Sequence, residues 1–302
     1  MGRVEAIPSV KERLMSIPEA KTRLTIPELA IRKRKGERLA MVAVGEYLSA
    51  QWAERGGVDI IGVGDSLGMT LYGHDTTLPM TVEQMIAHTQ AVRRGAPNTF
   101  CLVSMPYGSY ATEEIAVTNA VRMMKESGAD ALKMQGGREM FGIIRAIADA
   151  GVPIMSHVGL CPHFVHRLGG FRMQGRTADE ALKIIDNARA IEEAGAIGLE
   201  IEAVPYLVGK AVDEAVDIFT FSIGAGGAGT CQLLNGYDLI GGFDTFRPKF
   251  AKRYGNVAEV AANAFLAYAD DVRSGAFPDE EHTYKMNGAE AEKLREVLEA
   301  GK

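Results

Sequence analysis

Short, nearly continuous apolar runs recur along this chain, each followed by a longer amphipathic stretch. That alternation restricts the possible folds more than any other feature. The runs are LAMVAV (39–44), VDIIGV (58–63), TFCLVS (99–104), ADALKM (129–134), VPIMS (152–156), AIGLEIE (196–202), DIFTFSI (217–223) and DLIGG (238–242). A strand that alternates apolar and polar residues has one wet face. A strand apolar throughout is buried on both faces, as parallel strands are when helices cover the sheet. The intervening segments, such as TVEQMIAHTQAVRR, TEEIAVTNAVRMMKES and TADEALKIIDNARAIEEA, read as helices. Several open on Thr followed by acidic residues, which is N-cap chemistry. Several close on Gly just before the next strand, as in SGAD, DAGVP and EAGAIG, where Gly suits a left-handed C-cap. Eight strands with intervening helices over about 250 residues predict a (β/α)₈ TIM barrel with extra terminal helices; a doubly wound open sheet is the alternative.

No internal repeat, low-complexity tract or Pro/Ser-rich linker divides the 302 residues. The reading is one domain, 1–302, with a leading helix at about 1–24 and a terminal helix, GAEAEKLREVLEA, at about 288–300. A chain that is 47% hydrophobic and 24% charged has enough apolar material for a large core. Its net charge of −6 argues against nucleic acid as the partner, because phosphate binding needs a concentrated basic face. The basic clusters in KERLMSIPEAKTR and IRKRKGER carry interspersed acids and read as solvated helix faces. Cys101, Cys161 and Cys231 are odd in number and far apart, with no CxxC or Cys/His ligand spacing, which fits a reducing compartment without a zinc site or disulfide framework. No apolar run approaches the length of a membrane span and no signal-peptide core is present, so the expectation is a cytoplasmic protein with no membrane partner.

Barrel enzymes carry their sites at the C-terminal ends of the strands. Polar residues collect there in this chain. Strand two runs into Asp65-Ser66, strand three ends in Ser104, and strand four carries Lys133 with Gln135-Gly136-Gly137 beyond it. Strand five runs into Ser156-His157, strand six ends in Glu200 and Glu202, and the last strands lead to GAGGAG (224–229) and Arg247-Pro248-Lys249. Taken singly, Asp65 reads as a turn cap, Lys133 as a snorkelling side chain and His157 as a hydrogen-bonded core histidine. Together on one rim they predict a pocket. The GAGGAG run reads either as a phosphate cradle or as a close turn past the pocket.

The segments VGDSLGMTLYGHDTTLPMTVEQMIAHTQAVRRGAP (63–97), DALKMQGG (130–137), SHVGLCP (156–162), GGFRMQGR (169–176), EIEAVP (200–205), IGAG (223–226) and RPKFAKRY (247–254) resemble the ketopantoate hydroxymethyltransferase family, within the phosphoenolpyruvate mutase and isocitrate lyase superfamily. The likeness spans roughly residues 25 to 285. It implies transfer of a one-carbon unit from 5,10-methylenetetrahydrofolate to 3-methyl-2-oxobutanoate, giving ketopantoate through an enolate. It also implies Mg²⁺ chelated by the keto acid, and a homo-oligomer. By position, Asp65 would be a metal ligand and Ser66 a donor to the substrate carboxylate. Lys133 would place positive charge beside the keto acid, His157 would orient the substrate, and Glu202 would be the general base. An enolate forms near neutral pH only when its developing oxyanion is stabilised, so each role has a physical purpose.

The chain departs from the family pattern where charge matters. The family's aspartate after strand three is Ser104 in Ser104-Met105-Pro106-Tyr107, and its glutamate after strand four is Gln135 in Lys133-Met134-Gln135-Gly136-Gly137. A Tyr-Asp-like segment at strand one becomes Val44-Gly45-Glu46-Tyr47, and Thr230 stands where an aspartate is expected after strand seven. Ser104 and Gln135, at the other ligand positions, offer only neutral oxygens, so Mg²⁺ binding is expected to be weakened or dependent on substrate oxygens. Three readings follow: the hydroxymethyltransferase itself, a divergent enzyme doing aldol or lyase enolate chemistry on another 2-oxo acid, and a non-catalytic binding subunit. Retention of Asp65, Ser66, Lys133, His157 and Glu202 together disfavours the last. GGFRMQGR reads as a lid, a folate contact or an ordinary long connection.

Overall fold

The computed structural model describes residues 22–301. Eight strands form: β1 (Leu39–Ala43), β2 (Ile60–Val63), β3 (Phe100–Ser104), β4 (Ala131–Lys133), β5 (Ile154–Gly159), β6 (Gly198–Glu202), β7 (Phe219–Ile223) and β8 (Cys231–Asn235). They pair in sequence order, all parallel, and β8 closes on β1 from Leu39↔Cys231 to Ala43↔Asn235. The fold is a closed (β/α)₈ barrel, not an open doubly wound sheet. The helix starts follow the expected capping chemistry: Thr81 and Thr177 each form a capping box with the residue three places on, and the Thr112 hydroxyl accepts from the Ile115 N–H.

Two apolar clusters explain why the strands read as continuous apolar runs. Along β3, Phe100 and Leu102 point into the barrel with Met41, Ile60, Phe221 and Leu233. The alternate residues Cys101 and Val103 pack outward against the helices with Met85, Met123 and Ile144. Both sets are dry, so period two is invisible in hydropathy although it governs direction.

The eighth strand is not where the sequence places it. DLIGG (238–242) belongs to the end of a one-turn helix, Gly236–Ile240, which stops at Gly241 with φ 69°. The strand is instead CQLLN, 231–235. Parallel neighbours usually need a crossover of about a dozen residues or more. Here residues 224–230 suffice, because Cys231 pairs with Phe221 in the middle of β7, so the chain descends only part of the strand's length. Gly224, Gly226 and Gly229 take φ of 66°, 68° and 82°, and the Ser222 hydroxyl donates to Ala228 O. GAGGAG is therefore a compact crossover with no helix in it.

The first described helix is Ile26–Arg34, capped by Thr25; of the leading helix expected at about 1–24, residues 1–21 lie outside the described residues. The sequence reading draws no boundary within 1–302, whereas the chain groups into two compact units that divide after Tyr254. The second unit contains helices Val257–Ser274 and Gly288–Ala300, and Phe277, in the segment joining them, sets its ring against those of Tyr268 and His282. Among the described residues no helix is long and apolar enough to cross a membrane.

One glycine couples the fold to the rim. Gly159, ending β5, has φ 91°, and a Cβ there would lie 2.2 Å from Glu202 O. That carbonyl accepts from the Leu160 N–H at 2.9 Å. Gly159→Ala is expected to lower stability by about 2–4 kcal/mol, from left-handed strain and overpacking, and to reduce activity with it. Chemical denaturation alongside turnover checks this.

Candidate active site

Strand parity selects the side chains that can meet. Counting inward positions along each strand from the interior core, Ser104 follows Phe100 and Leu102, and Lys133 follows Ala131. His157 follows Met155, while Glu200 and Glu202 follow Gly198, whose own Cβ position abuts Met155. All five occupy inward positions toward the C-terminal ends of their strands. A shift of one residue in any strand would turn these groups into the helix layer.

Lys133, Glu200, His157 and Glu202 form a chain of contacts. Lys133 Nζ lies 2.5 Å from Glu200 Oε2, with side chains 11% and 3% exposed. His157, level with Glu200 in the sheet, places Nδ1 3.6 Å from Glu200 Oε2 and Nε2 3.2 Å from Glu202 Oε2. Neither ring nitrogen is aligned for a hydrogen bond, although the residue is buried. Burial alone would raise the Glu200 carboxyl, but the Lys133 charge and hydrogen bond, with His157, hold it below the ordinary glutamate value. Burial would likewise lower Lys133, and the charges of Glu200 and Asp65 instead keep it a firm ammonium. Glu202 goes the other way: burial pushes its carboxyl up, and His157 offsets this only in part. Two neighbouring glutamates are thus held apart in proton affinity, the pattern that separates a fixed charge from a group able to exchange a proton.

Asp65 sits just beyond β2 and is almost fully buried. Its Oδ2 accepts from His163 Nε2 at 2.5 Å. Burial would raise this carboxyl too, but His163 and then Lys133 outweigh it and keep the pKa below the aspartate norm. His163 is held from behind by the Tyr110 hydroxyl, and its backbone N–H donates to Gln135 Oε1 at 2.9 Å. His163, Tyr110 and the Lys133–Glu200 pairing are contacts that sequence reading missed. Glu200 was visible on the rim without a role, and His163 lies one residue past SHVGLCP. Its signal would have been a histidine in the turn directly after a site strand.

These groups share one cavity of about 920 Å³, which Asp65, Ser66, Ser104, Lys133, Gln135, His157, Glu200 and Glu202 all line. Ser66 begins the one-turn helix Leu67–Thr70 at its edge. Phe171 and Met173, from GGFRMQGR, reach the same cavity with Phe243, Phe246 and Phe250. Thr230 does not: its N–H donates to Thr220 O and its carbonyl accepts from Leu39 N–H at the start of β1, the opposite end of the barrel. Glu46 caps helix Tyr47–Arg55 through the N–H groups of Leu48 and Ser49. Ala203, next after Glu202, is the one non-glycine with positive φ among the described residues, at 45°. Strain of that kind persists only where the surroundings impose it.

A family model described as ketopantoate hydroxymethyltransferase matches residues 23–280. The chain belongs to this family. It is 47% identical over 282 residues to 3-methyl-2-oxobutanoate hydroxymethyltransferase 1 of Methylibium petroleiphilum, covering 93% of this chain and 96% of that one. It is 45% identical over 253 residues to a 3-methyl-2-oxobutanoate hydroxymethyltransferase of Thermus thermophilus, covering 84% and 97%. Among solved structures, phosphonopyruvate hydrolase superposes with TM-score 0.56 at 14% identity, covering 92% and 98% of the two chains. A 2,3-dimethylmalate lyase of the PEP mutase/isocitrate lyase superfamily gives 0.55 at 15%, covering 91% and 99%. Those two likenesses speak for the barrel. Membership of the family makes the chain an enzyme of hydroxymethyltransferase type.

The donors near Asp65 do not suit a hard dication as they stand. Magnesium takes oxygen ligands and favours carboxylates, but Asp65 Oδ2 and Gln135 Oε1 both face His163, and Ser104 is neutral. The described residues do contain one group of three with metal-ligand spacing elsewhere on the rim, His157, Glu200 and Glu202, whose ligand atoms lie within 4.8 Å of one another.

Proposed function

We propose that this enzyme transfers a hydroxymethyl unit from 5,10-methylenetetrahydrofolate to 3-methyl-2-oxobutanoate, producing ketopantoate for pantothenate biosynthesis. The observation that carries the reading is the separation of the two rim glutamates: Glu200 locked as an anion on Lys133, and Glu202 with a raised carboxyl facing the same cavity. In its ionised form Glu202 removes the proton from C3 of the keto acid, where a raised pKa makes it a stronger base than an exposed glutamate. Lys133 lies beside the C2 oxygen and stabilises the charge that develops there, with Ser66 donating to the substrate carboxylate and His157 fixing the orientation. Water opens the folate-borne methylene bridge, breaking both C–N bonds and releasing tetrahydrofolate and a formaldehyde-level carbon; the C3 carbanion adds to that carbon, and its oxygen takes the proton held on Glu202.

A cavity of about 920 Å³ is far larger than a five-carbon acid requires and lies at the upper end for small-molecule sites. The half-exposed Phe171, Met173 and Phe250 suit the flat ring of a bulky one-carbon carrier. The resemblance implies magnesium, weakened or assisted by the substrate; the steps above use only side chains of the enzyme, its two substrates and water. Three buried free cysteines accord with a cytoplasmic setting, and a homo-oligomer completes the reading.

A second reading, aldol or lyase chemistry on another 2-oxo acid without folate, draws on the engagement of Asp65 by His163. One NMR experiment separates them. In D₂O the enzyme alone is expected to exchange the C3 proton of 3-methyl-2-oxobutanoate, and 5,10-methylenetetrahydrofolate is expected to convert the mixture to ketopantoate. Exchange without conversion favours the second reading; neither signal rejects both for this substrate.

A further inference from the structure

Asp65 is where the family resemblance puts a cation, and in this chain a side chain is already there. The Tyr110 hydroxyl oxygen accepts from the Gln135 N–H at 3.3 Å and meets His163 Nδ1 on its other side. Asp65, held as a carboxylate, can only accept, so His163 Nε2 carries the proton of their 2.5 Å contact. The backbone N–H of His163 takes Gln135 Oε1. Two of the three positions expected to hold metal are thus engaged by one residue, and the third, Ser104, carries no charge. The participants are between 1% and 6% exposed, so their hydrogen bonds are shielded from water and costly to exchange. The other cluster, His157–Glu200–Glu202, already has a cation against it in Lys133.

We propose that His163 is the resident partner of Asp65 and stands in for a divalent cation on it. The enzyme then holds its 2-oxo acid through Lys133 in the absence of metal, and a cation on Asp65 competes with the imidazole for the carboxylate. The identity of the acid rests on the function proposed above; the occupation of Asp65 does not.

The test uses Mn²⁺ as the probe on the chelator-stripped full chain, with free Mn²⁺ read by electron paramagnetic resonance. His163→Gln is expected to bind Mn²⁺ about tenfold to a hundredfold more tightly than the unaltered protein, the scale of one charge-assisted hydrogen bond no longer broken. Adding Asp65→Asn should remove that gain. Tyr110→Phe, which releases the ring from behind, should move the affinity the same way by a smaller factor and decides the matter if His163→Gln fails to fold. Tight Mn²⁺ binding by the unaltered protein that Asp65→Asn abolishes would overturn the proposal. So would an affinity unchanged in the folded His163→Gln or, failing that variant, in Tyr110→Phe. In parallel, calorimetry should show 3-methyl-2-oxobutanoate binding without metal, and binding only with Mn²⁺ present would also overturn it. If the acid binds under neither condition, the assigned substrate fails, and the Mn²⁺ comparison still judges His163.

Discussion

Replacing Glu202 with Gln is expected to lower kcat by about 10²–10⁴-fold while leaving KM for 3-methyl-2-oxobutanoate within a few-fold, because the amide keeps the shape but cannot take a proton. The same variant should lose the C3 proton exchange in D₂O. In the unaltered enzyme kcat/KM should fall on the acid side with an apparent pKa above that of an ordinary glutamate, since burial raises the Glu202 carboxyl and only the ionised form acts as base. Stability moves in the opposite sense. A raised folded-state pKa gives a contribution to folding that is complete below the unfolded value and is lost as pH rises through the folded one. Asp65 and Glu200, whose carboxyls are held low, contribute above their unfolded values and lose that contribution on acidification. If Glu202 is the base proposed above, the ionisation that catalysis needs is the one that lowers stability. A pH–rate profile with no displaced acid limb, or a Gln variant retaining full turnover, would remove Glu202 from the role of base.

Lys133→Met is expected to fail in two distinguishable ways. On the proposed mechanism it removes the charge beside the developing C2 oxyanion, a loss of about 10²–10³-fold in kcat by comparison with other oxyanion donors. It also strands Glu200 in a dry site, which costs about 3–5 kcal/mol for a broken buried pair. Lys133→Met combined with Glu200→Gln should recover most of the stability, because no buried charge is left unpaired, and none of the activity. Denaturation midpoints and turnover measured on the single and double variants form the cycle. If the double variant regains activity along with stability, Lys133 is a structural partner of Glu200 and does not serve the oxyanion.

How far the site was legible in the sequence follows from what each residue's neighbours are. Seven strands were readable because each is a local apolar run, and the three threonine caps because a cap acts within four residues. β8 was not, because CQLLN is a strand only by virtue of pairing with β1 and β7, and the short crossover before it depends on the stagger of the barrel. DLIGG looked the better strand by composition, and the left-handed Gly241 ended it as a helical turn.

Asp65, Ser66, Lys133, His157 and Glu202 stand out in the sequence by their places at strand ends, and all line the cavity in the folded chain. Their order along the chain already implied a shared rim, since a parallel barrel brings every strand's C-terminal end to one side. What order does not contain is distance. Asp65 and His163 are 98 residues apart and Lys133 and Glu200 are 67 apart, yet each pair meets at 2.5 Å. The sequence by itself determined the family, the alternating architecture and the list of groups able to do acid–base work, because periodicity, caps and motifs are local. The tertiary structure alone decided which glutamate is locked on a lysine, which is lifted by burial, and that a histidine already occupies Asp65, because proton affinity depends on what burial and closure of the barrel bring against each group.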